Sequence, residues 1–368
     1  MAPFGGVAPI DCDLHPAIPG CETLLPYLDA HWREVITGRG IGDLDLALYP
    51  RGAPLTARAD WRRPPPGTGL PAGGTLEALR AEALDPFGTE IGILNPLFGA
   101  PALHNADMAA ALCRAANDWV AAEWLDREPR LRAGILVPAE DPGLAAEEIE
   151  RRAADPRFVQ VLLFGGAETL LGRRVNWPVL AAAERHGLPV AIHAGGGGRH
   201  APTANGWPTY LIEDHAAFAQ TAQSQLLSLI GEGAFTKFPA LRVVLLEAGF
   251  GWVPNFLWRG VKMWRAMRKE IPWVDRSPAE IFRTHVRLSV QPGDAPEDPA
   301  EMEALLEMIA GDDLLLFATD WPHWRFDGLE ALPPGLPPRL HRRVLRENAL
   351  ATYPRLGAVA PAPARETA

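Results

Sequence analysis

Short runs of Val, Ile and Leu alternate with longer Ala/Glu/Arg-rich stretches of helical period along nearly the whole chain. Each apolar run predicts a buried strand, and the stretch that follows it predicts a helix. Eight strands are predicted, at 8–14, 91–95, 132–138, 158–164, 188–193, 241–247, 286–291 and 313–319. Helices are predicted at 105–126, 142–154, 176–186, 215–231, 254–268, 298–310 and 338–352.

This alternation is typical of parallel strands joined by crossover helices. Eight strand–helix pairs in 368 residues predict an α/β fold, a distorted (β/α)8 TIM barrel, which usually needs about 250 residues plus insertions. We expect one barrel domain over 1–356. The segment 16–85 is too rich in Pro and Gly for another strand–helix unit, and it is expected to be a lid inserted after strand one. Residues 357–368 are expected to be a disordered tail.

Composition excludes several classes of function. A net charge of -10 gives no electrostatic reason to bind nucleic acid or an anionic membrane. The chain has no long apolar run and no signal-peptide pattern at its start, so neither a membrane span nor export is expected, and the predicted location is cytoplasmic. Its three cysteines lack C-x-x-C spacing and predict no disulfide framework or cysteine zinc site. The expected partner is a small-molecule substrate.

Ionisable side chains lie where the predicted strands end. In a barrel these ends converge on one face, so residues far apart in the chain meet there. Asp13 and His15 are two positions apart and therefore share a face of strand one. The corresponding residues after later strands are His193, Glu247, Gln291, Asp320 and His323. Imidazole and carboxylate groups around an open position are typical ligands of a catalytic zinc, manganese or iron ion.

Most of these residues have a structural alternative. A histidine at a strand end is often structural, Asp320 is also a candidate helix N-cap, and Glu247 is a candidate partner of Arg259. However, Asp320 follows the apolar run LLLFAT, where an isolated carboxylate is costly to bury unless it is paired or bound to a cation. His193 likewise ends an apolar strand. Their combination favours a metal site.

Four motifs carry a family resemblance: IDCDLHP at 10–16, GLPVAIHAG around His193, GAFTKFPALRVVLLEAGFGWVP around Glu247, and LLFATDWPHW around Asp320. Together they resemble the amidohydrolase-related family typified by aminocarboxymuconate-semialdehyde decarboxylase, within the amidohydrolase superfamily of distorted TIM barrels. The resemblance covers nearly the whole chain. It implies one divalent ion, Zn²⁺ or Mn²⁺, with the ligands Asp13, His15, His193 and Asp320.

The chain departs from the family pattern at two positions. Strand one carries Asp-x-His where many relatives have His-x-His; hydroxybenzoate decarboxylases of the family resemble this chain there. An oxygen ligand favours harder ions such as manganese. On strand six, Glu247 replaces the usual catalytic histidine, so the proton-transfer residue stays open between Glu247, Asp320, His215 and His323. Strand four has no lysine, and a single ion is therefore expected.

The resemblance implies a decarboxylase of a small aromatic or unsaturated carboxylic acid. Two alternatives stay open: a metal-dependent hydrolase of an ester, lactone or amide, and a catalytically silent ligand-binding barrel. Guanidinium groups suit a substrate carboxylate, and flat aromatic rings suit an unsaturated substrate. The candidate substrate-binding residues are Arg259, Arg173, Trp252 and Trp324. Because relatives are often dimers, a homodimer is also an open expectation.

Overall fold

The computed structural model describes residues 3–44, 67–196, 200–323 and 331–358. Eight parallel strands lie side by side in the order of the chain, which confirms the predicted barrel. The strands are β1 Ile10–Leu14, β2 Ile91–Leu94, β3 Leu131–Leu136, β4 Phe158–Phe164, β5 Val190–His193, β6 Val243–Leu246, β7 Val286–Ser289 and β8 Leu315–Leu316.

The ring closes between β8 and β1. Regular β8 is short, but the chain beyond it continues along β1. The backbone N–H of Cys12 donates to the carbonyl of Phe317 at 2.9 Å, and that of His15 donates to Trp321 at 2.7 Å. These bonds place residues 317–321 against the end of the first strand. The polar residues after β8 are thereby brought beside those of β1.

Helices follow the strands, and each predicted helix is present with similar bounds. They are α1 Cys21–Leu24, α2 Ala30–Arg39, α3 Leu76–Leu79, α4 Asp85–Phe87, α5 Ala106–Val120, α6 Pro142–Arg152, α7 Trp177–Arg185, α8 Leu211–Gly231, α9 Ala234–Lys237, α10 Val253–Met267, α11 Pro278–His285, α12 Pro299–Ile309, α13 Pro338–Arg342 and α14 Asn348–Thr352. Single π turns continue the helices at Arg80–Leu84, Ala121–Leu125 and Arg343–Glu347.

Local chemistry explains where several helices begin. Asn105 accepts a hydrogen bond from the backbone of Met108 and caps α5. Ser277 and Glu280 form a reciprocal capping box at the start of α11, a helix that the sequence analysis did not predict. Such caps satisfy backbone N–H groups that have no partner in the first turn of a helix.

The described parts of segment 16–85 contain α1 to α4, and the last of these helices leads into β2. Residues 45–66 lie outside the described residues, so the lid stays a prediction. The same holds for residues 359–368 of the predicted tail. The three cysteines are free and buried. Across the described ranges, none of the helices has the length and apolar character required to traverse a lipid bilayer.

Candidate metal centre

Asp13 and His15 lie at the carboxyl end of β1 with His193 at the end of β5. All three are almost completely buried. One ligand atom from each lies within 4.8 Å of the others. Oδ2 of Asp13 is 3.7 Å from Nε2 of His193, and the rings of His15 and His193 meet edge to face with centroids 4.9 Å apart. The barrel thus assembles three of the four predicted ligands as one group.

A second group shares His15 and adds Glu247, Asp320 and His323, again with ligand atoms within 4.8 Å of one another. Nε2 of His15 is 3.0 Å from Oδ1 of Asp320, and the ring of His323 stacks on that of His15. Oε2 of Glu247 is 3.7 Å from Nε2 of His193. We call the two groups together the site cluster: Asp13, His15, His193, Glu247, Asp320 and His323.

The backbone is strained at two members of the site cluster. Glu247 has φ of 54° and Asp320 has φ of 58°, in a region that costs a residue with a side chain on the order of 1–3 kcal/mol. Surrounding contacts hold both in place. The N–H of Glu247 donates to Oγ of Ser289 at 3.1 Å. The carbonyl of Trp321, directly after Asp320, accepts a hydrogen bond from the N–H of His15. In this backbone conformation the carboxylates of both residues lie in the site cluster.

The two buried imidazoles are oriented by carbonyl groups. Nδ1 of His15 hydrogen-bonds the carbonyl of Asn95 at 2.8 Å, and Nδ1 of His193 hydrogen-bonds that of Ala194 at 2.7 Å. Because a carbonyl only accepts, each Nδ1 carries a proton. In both residues Nε2 faces the site cluster, and it is the nitrogen that would bind a metal ion once it carries no proton.

The charges of the site cluster suit a cation. Burial on its own lowers the pKa of His15, but the carboxylates of Asp13, Asp320 and Glu247 outweigh it and raise that pKa to about 10. Oδ2 of Asp13, Nε2 of His193 and Oε1 of Glu247 are buried without a hydrogen-bond partner in the described structure. Such groups are costly to bury unless something pairs with them. The oxygen and nitrogen donors therefore fit one divalent metal ion.

Sequence analysis missed the polar residues behind the ligands. Asn95, directly after β2, donates to Oδ1 of Asp13 at 2.9 Å and accepts from Gln160 at 2.8 Å. Asp11 accepts from the backbone and the hydroxyl of Thr319, and burial raises its pKa to about 7 despite these bonds. Asn95 ends an apolar strand, so the strand-end criterion applied to Asp13 also identifies it.

Other predicted site residues lie apart from this cluster in their described contacts. His215, on α8, lies beside Asp214 and the ring of Phe218. The indole of Trp252 donates to the carbonyls of Ala248 and Gly249 and packs against phenylalanines of α10 and α11.

Arg259 and Arg173 are exposed, and the carboxylate of Glu247 lies near His193 instead of Arg259. Trp324 lies outside the described residues. The substrate-binding and proton-transfer roles of these residues stay predictions.

Comparisons with known proteins identify relatives of this chain. Two curated relatives are gamma-resorcylate decarboxylases, from Polaromonas sp. (strain JS666 / ATCC BAA-500) and Rhodococcus jostii (strain RHA1). They are 27% and 28% identical over alignments that cover 68% and 67% of this chain and 78% and 77% of theirs.

Solved structures share the fold. A 2,6-dihydroxybenzoate decarboxylase from Rhizobium has a TM-score of 0.66 at 21% identity, over 94% of this chain and 98% of that one. A dihydroxybenzoic acid decarboxylase from Polaromonas sp. JS666, with bound manganese and the inhibitor 2-nitroresorcinol, has the same score and identity, over 96% and 98%. The family model described as amidohydrolase matches residues 10–355. The chain therefore belongs to the amidohydrolase family.

Proposed function

We propose that the protein is a divalent-metal-dependent decarboxylase of a small aromatic carboxylic acid. The observation that supports the proposal is that Asp13, His15 and His193 bring buried ligand atoms within 4.8 Å of one another at the mouth of the barrel, with Oδ1 of Asp320 3.0 Å from Nε2 of His15. The curated relatives named as gamma-resorcylate decarboxylases support the reaction class. A dihydroxybenzoate is accordingly the first substrate to test.

The proposed ligands are Asp13, His15, His193 and Asp320, and the ion is Mn²⁺ or Zn²⁺. When bound, such an ion polarises carboxylate and hydroxyl oxygens of a substrate. Asp13 and Asp320 supply hard oxygen donors, which favour manganese, while the imidazoles suit either metal. Burial of all four side chains removes competing water and strengthens their interaction with a cation.

Glu247 is proposed to carry the proton. Its Oε1 is buried without a hydrogen-bond partner among the described residues, and its side chain is 7% exposed. The protonated carboxyl delivers a proton to the ring carbon that bears the substrate carboxylate. The bond between this carbon and the carboxylate then breaks, its electron pair restores the aromatic ring, and CO₂ leaves. Glu247 regains a proton from solvent.

The test is an assay of CO₂ release from a panel of hydroxybenzoates and muconates with Mn²⁺ or Zn²⁺, run beside hydrolysis of esters and lactones. We expect CO₂ from at least one hydroxybenzoate, and loss of the activity after chelation. The Glu247 carboxylate also suits a base that activates water, which keeps hydrolysis as the second candidate. Hydrolysis without CO₂ release would overturn the decarboxylase and support that alternative.

A further inference from the structure

Asn95 hydrogen-bonds both ligand residues of β1. Its Nδ2 donates to Oδ1 of Asp13 at 2.9 Å and to the carbonyl of Cys12 at 3.3 Å. Its own carbonyl accepts from Nδ1 of His15 at 2.8 Å, and its N–H donates to Leu14 at 2.7 Å. One residue at the end of β2 therefore fixes the whole end of the first strand.

These bonds decide which atoms the ligands present. Because the Asn95 amide hydrogen-bonds Oδ1 of Asp13, Oδ2 is the carboxylate oxygen available to a cation. It lies 3.7 Å from Nε2 of His193. Because Nδ1 of His15 hydrogen-bonds a carbonyl, Nε2 is the nitrogen available to a cation. It lies 3.0 Å from Oδ1 of Asp320. Both remaining atoms face the site cluster. Among the described residues, the amide of Asn95 is the hydrogen-bond donor to the Asp13 carboxylate, whose Oδ1 also lies 3.4 Å from Nε2 of His15.

The amide of Asn95 is itself held in a single orientation. Its Oδ1 accepts from Nε2 of Gln160 at 2.8 Å, whereas its Nδ2 faces acceptors only. Room for this amide comes from Gly134 on β3, since a Cβ there would lie 2.8 Å from Oδ1 of Asn95. Asn95 and Gln160 are completely buried, and the side-chain oxygen and nitrogen of Asn95 are both hydrogen-bonded, although Oε1 of Gln160 has no partner among the described residues.

We propose that Asn95 is a positioning residue for the divalent cation: it orients Asp13 through its side chain and His15 through its carbonyl, and Gln160 in turn orients Asn95. The inference rests on the proposed metal site. Groups that orient metal ligands in this way typically contribute about 10–100-fold to metal affinity.

Asn117 provides a matched control. It is also a completely buried asparagine, and it donates to the carbonyl of Leu136 at 2.9 Å and to the carboxylate of Glu148 at 2.7 Å. It lies on α5, away from the site cluster. Asn117→Ala should therefore lower stability as Asn95→Ala does, through the loss of comparable buried hydrogen bonds, without changing the site.

The experiment is calorimetric titration of Mn²⁺ into chelator-treated wild type, Asn95→Ala and Asn117→Ala, with melting temperatures measured in parallel. We expect the dissociation constant for Mn²⁺ to rise about 10–100-fold in Asn95→Ala and to stay at the wild-type value in Asn117→Ala. A wild-type constant in folded Asn95→Ala, or an equal rise in both variants, would overturn the proposal. If Asn95→Ala does not fold, the Mn²⁺ titration is made on Gln160→Met instead. Weaker Mn²⁺ binding by this variant supports the proposal, and an affinity equal to that of the wild type overturns it.

The same preparations are assayed for CO₂ release. Wild type that binds Mn²⁺ but releases no CO₂ contradicts the proposed decarboxylation while the comparison of affinities still decides the role of Asn95. If the wild type binds no Mn²⁺, the titrations are repeated with Zn²⁺, and wild type that binds neither ion overturns both proposals.

Discussion

Nε2 of His193 and Oδ2 of Asp13 lie 3.7 Å apart, and neither atom has a hydrogen-bond partner in the part of the chain that the structure describes. The two residues come from β5 and β1. Two buried polar atoms that face each other at this distance are costly without a group that pairs with both. A divalent cation meets that requirement.

Replacing His193 by Ala should abolish metal retention, because the variant loses one of the nitrogen donors of the site. The loss of Mn²⁺ affinity should exceed the roughly 10–100-fold effect typical of a group that only orients a ligand. Metal content after purification without chelator provides the measurement. His285→Ala is the matched control, since His285 is equally buried and bonds the carbonyl of Leu241. Retention of metal by His193→Ala would contradict the assignment.

Glu247→Gln should leave the metal bound and reduce turnover by about 100-fold or more, because the amide keeps the shape of the side chain but cannot transfer the proton. Turnover and metal content are measured on the same sample. Glu148→Gln removes another buried carboxylate, one held by Arg151 and Asn117, and should lower stability without lowering turnover. Normal turnover in Glu247→Gln would assign the proton to another residue.

Gly249 supports the turn that carries Glu247. It has φ of +64°, and a Cβ there would lie 2.2 Å from Oδ2 of Asp294, whose carboxylate accepts from the N–H groups of Phe250 and Gly251. Gly187 has φ of +62° with nothing near the position of a Cβ. Gly187→Ala should lower the free energy of unfolding by about 1–2 kcal/mol.

Gly249→Ala should lower the free energy of unfolding further and also reduce turnover, since the clash with Asp294 displaces the turn beside the site. Urea unfolding and CO₂ release measure the two effects. Equal losses of stability in the two variants, with turnover unchanged, would show that the contact with Asp294 does not support Glu247.

The free energy of unfolding should fall at acidic pH, and protonation of Glu128 should contribute to this fall. Burial on its own raises the pKa of Glu128, but hydrogen bonds from Arg130 and Arg80 outweigh it and lower the pKa to about 2. Because its pKa is lowered on folding, ionised Glu128 contributes fully to the free energy of unfolding above its ordinary pKa near 4.5. This contribution is lost as the pH falls toward 2.

Glu128→Gln should therefore lose on the order of 1–3 kcal/mol of unfolding free energy at pH 7, and its stability should vary less than that of the wild type between pH 5 and about 2. Urea unfolding across this range is the measurement. Glu77→Gln, which removes an exposed partner of Arg127, should have little effect. Parallel pH profiles for Glu128→Gln and the wild type would refute the role of this carboxylate.

Much of the barrel could be predicted because most strand residues are buried, so several strands are mainly apolar runs, as in FVQVLLF of β4. The position of Asp13, His15, His193 and Asp320 followed from the convergence of strand ends. Two further features could have been recognised in the sequence. Asn95 ends an apolar strand, and the Ser277–Glu280 capping box marks the start of α11.

Other features depend on tertiary contacts that no local pattern encodes. The positive φ of Glu247 is held by Ser289 from the neighbouring strand. The indole of Trp252 is placed by packing between α10 and α11, so its aromatic character alone could not distinguish a packing residue from a substrate contact. The orientation of the Asp13 carboxylate is set by Asn95, which is distant in the sequence.

The most direct test of the proposed metal site is a crystal structure of the protein grown with Mn²⁺, with anomalous diffraction recorded at wavelengths that identify manganese. We expect one manganese peak per chain within coordination distance, on the order of 2 Å as for zinc, of ligand atoms of Asp13, His15, His193 and Asp320. A peak elsewhere, or ordered density for these side chains with no metal among them, would contradict it.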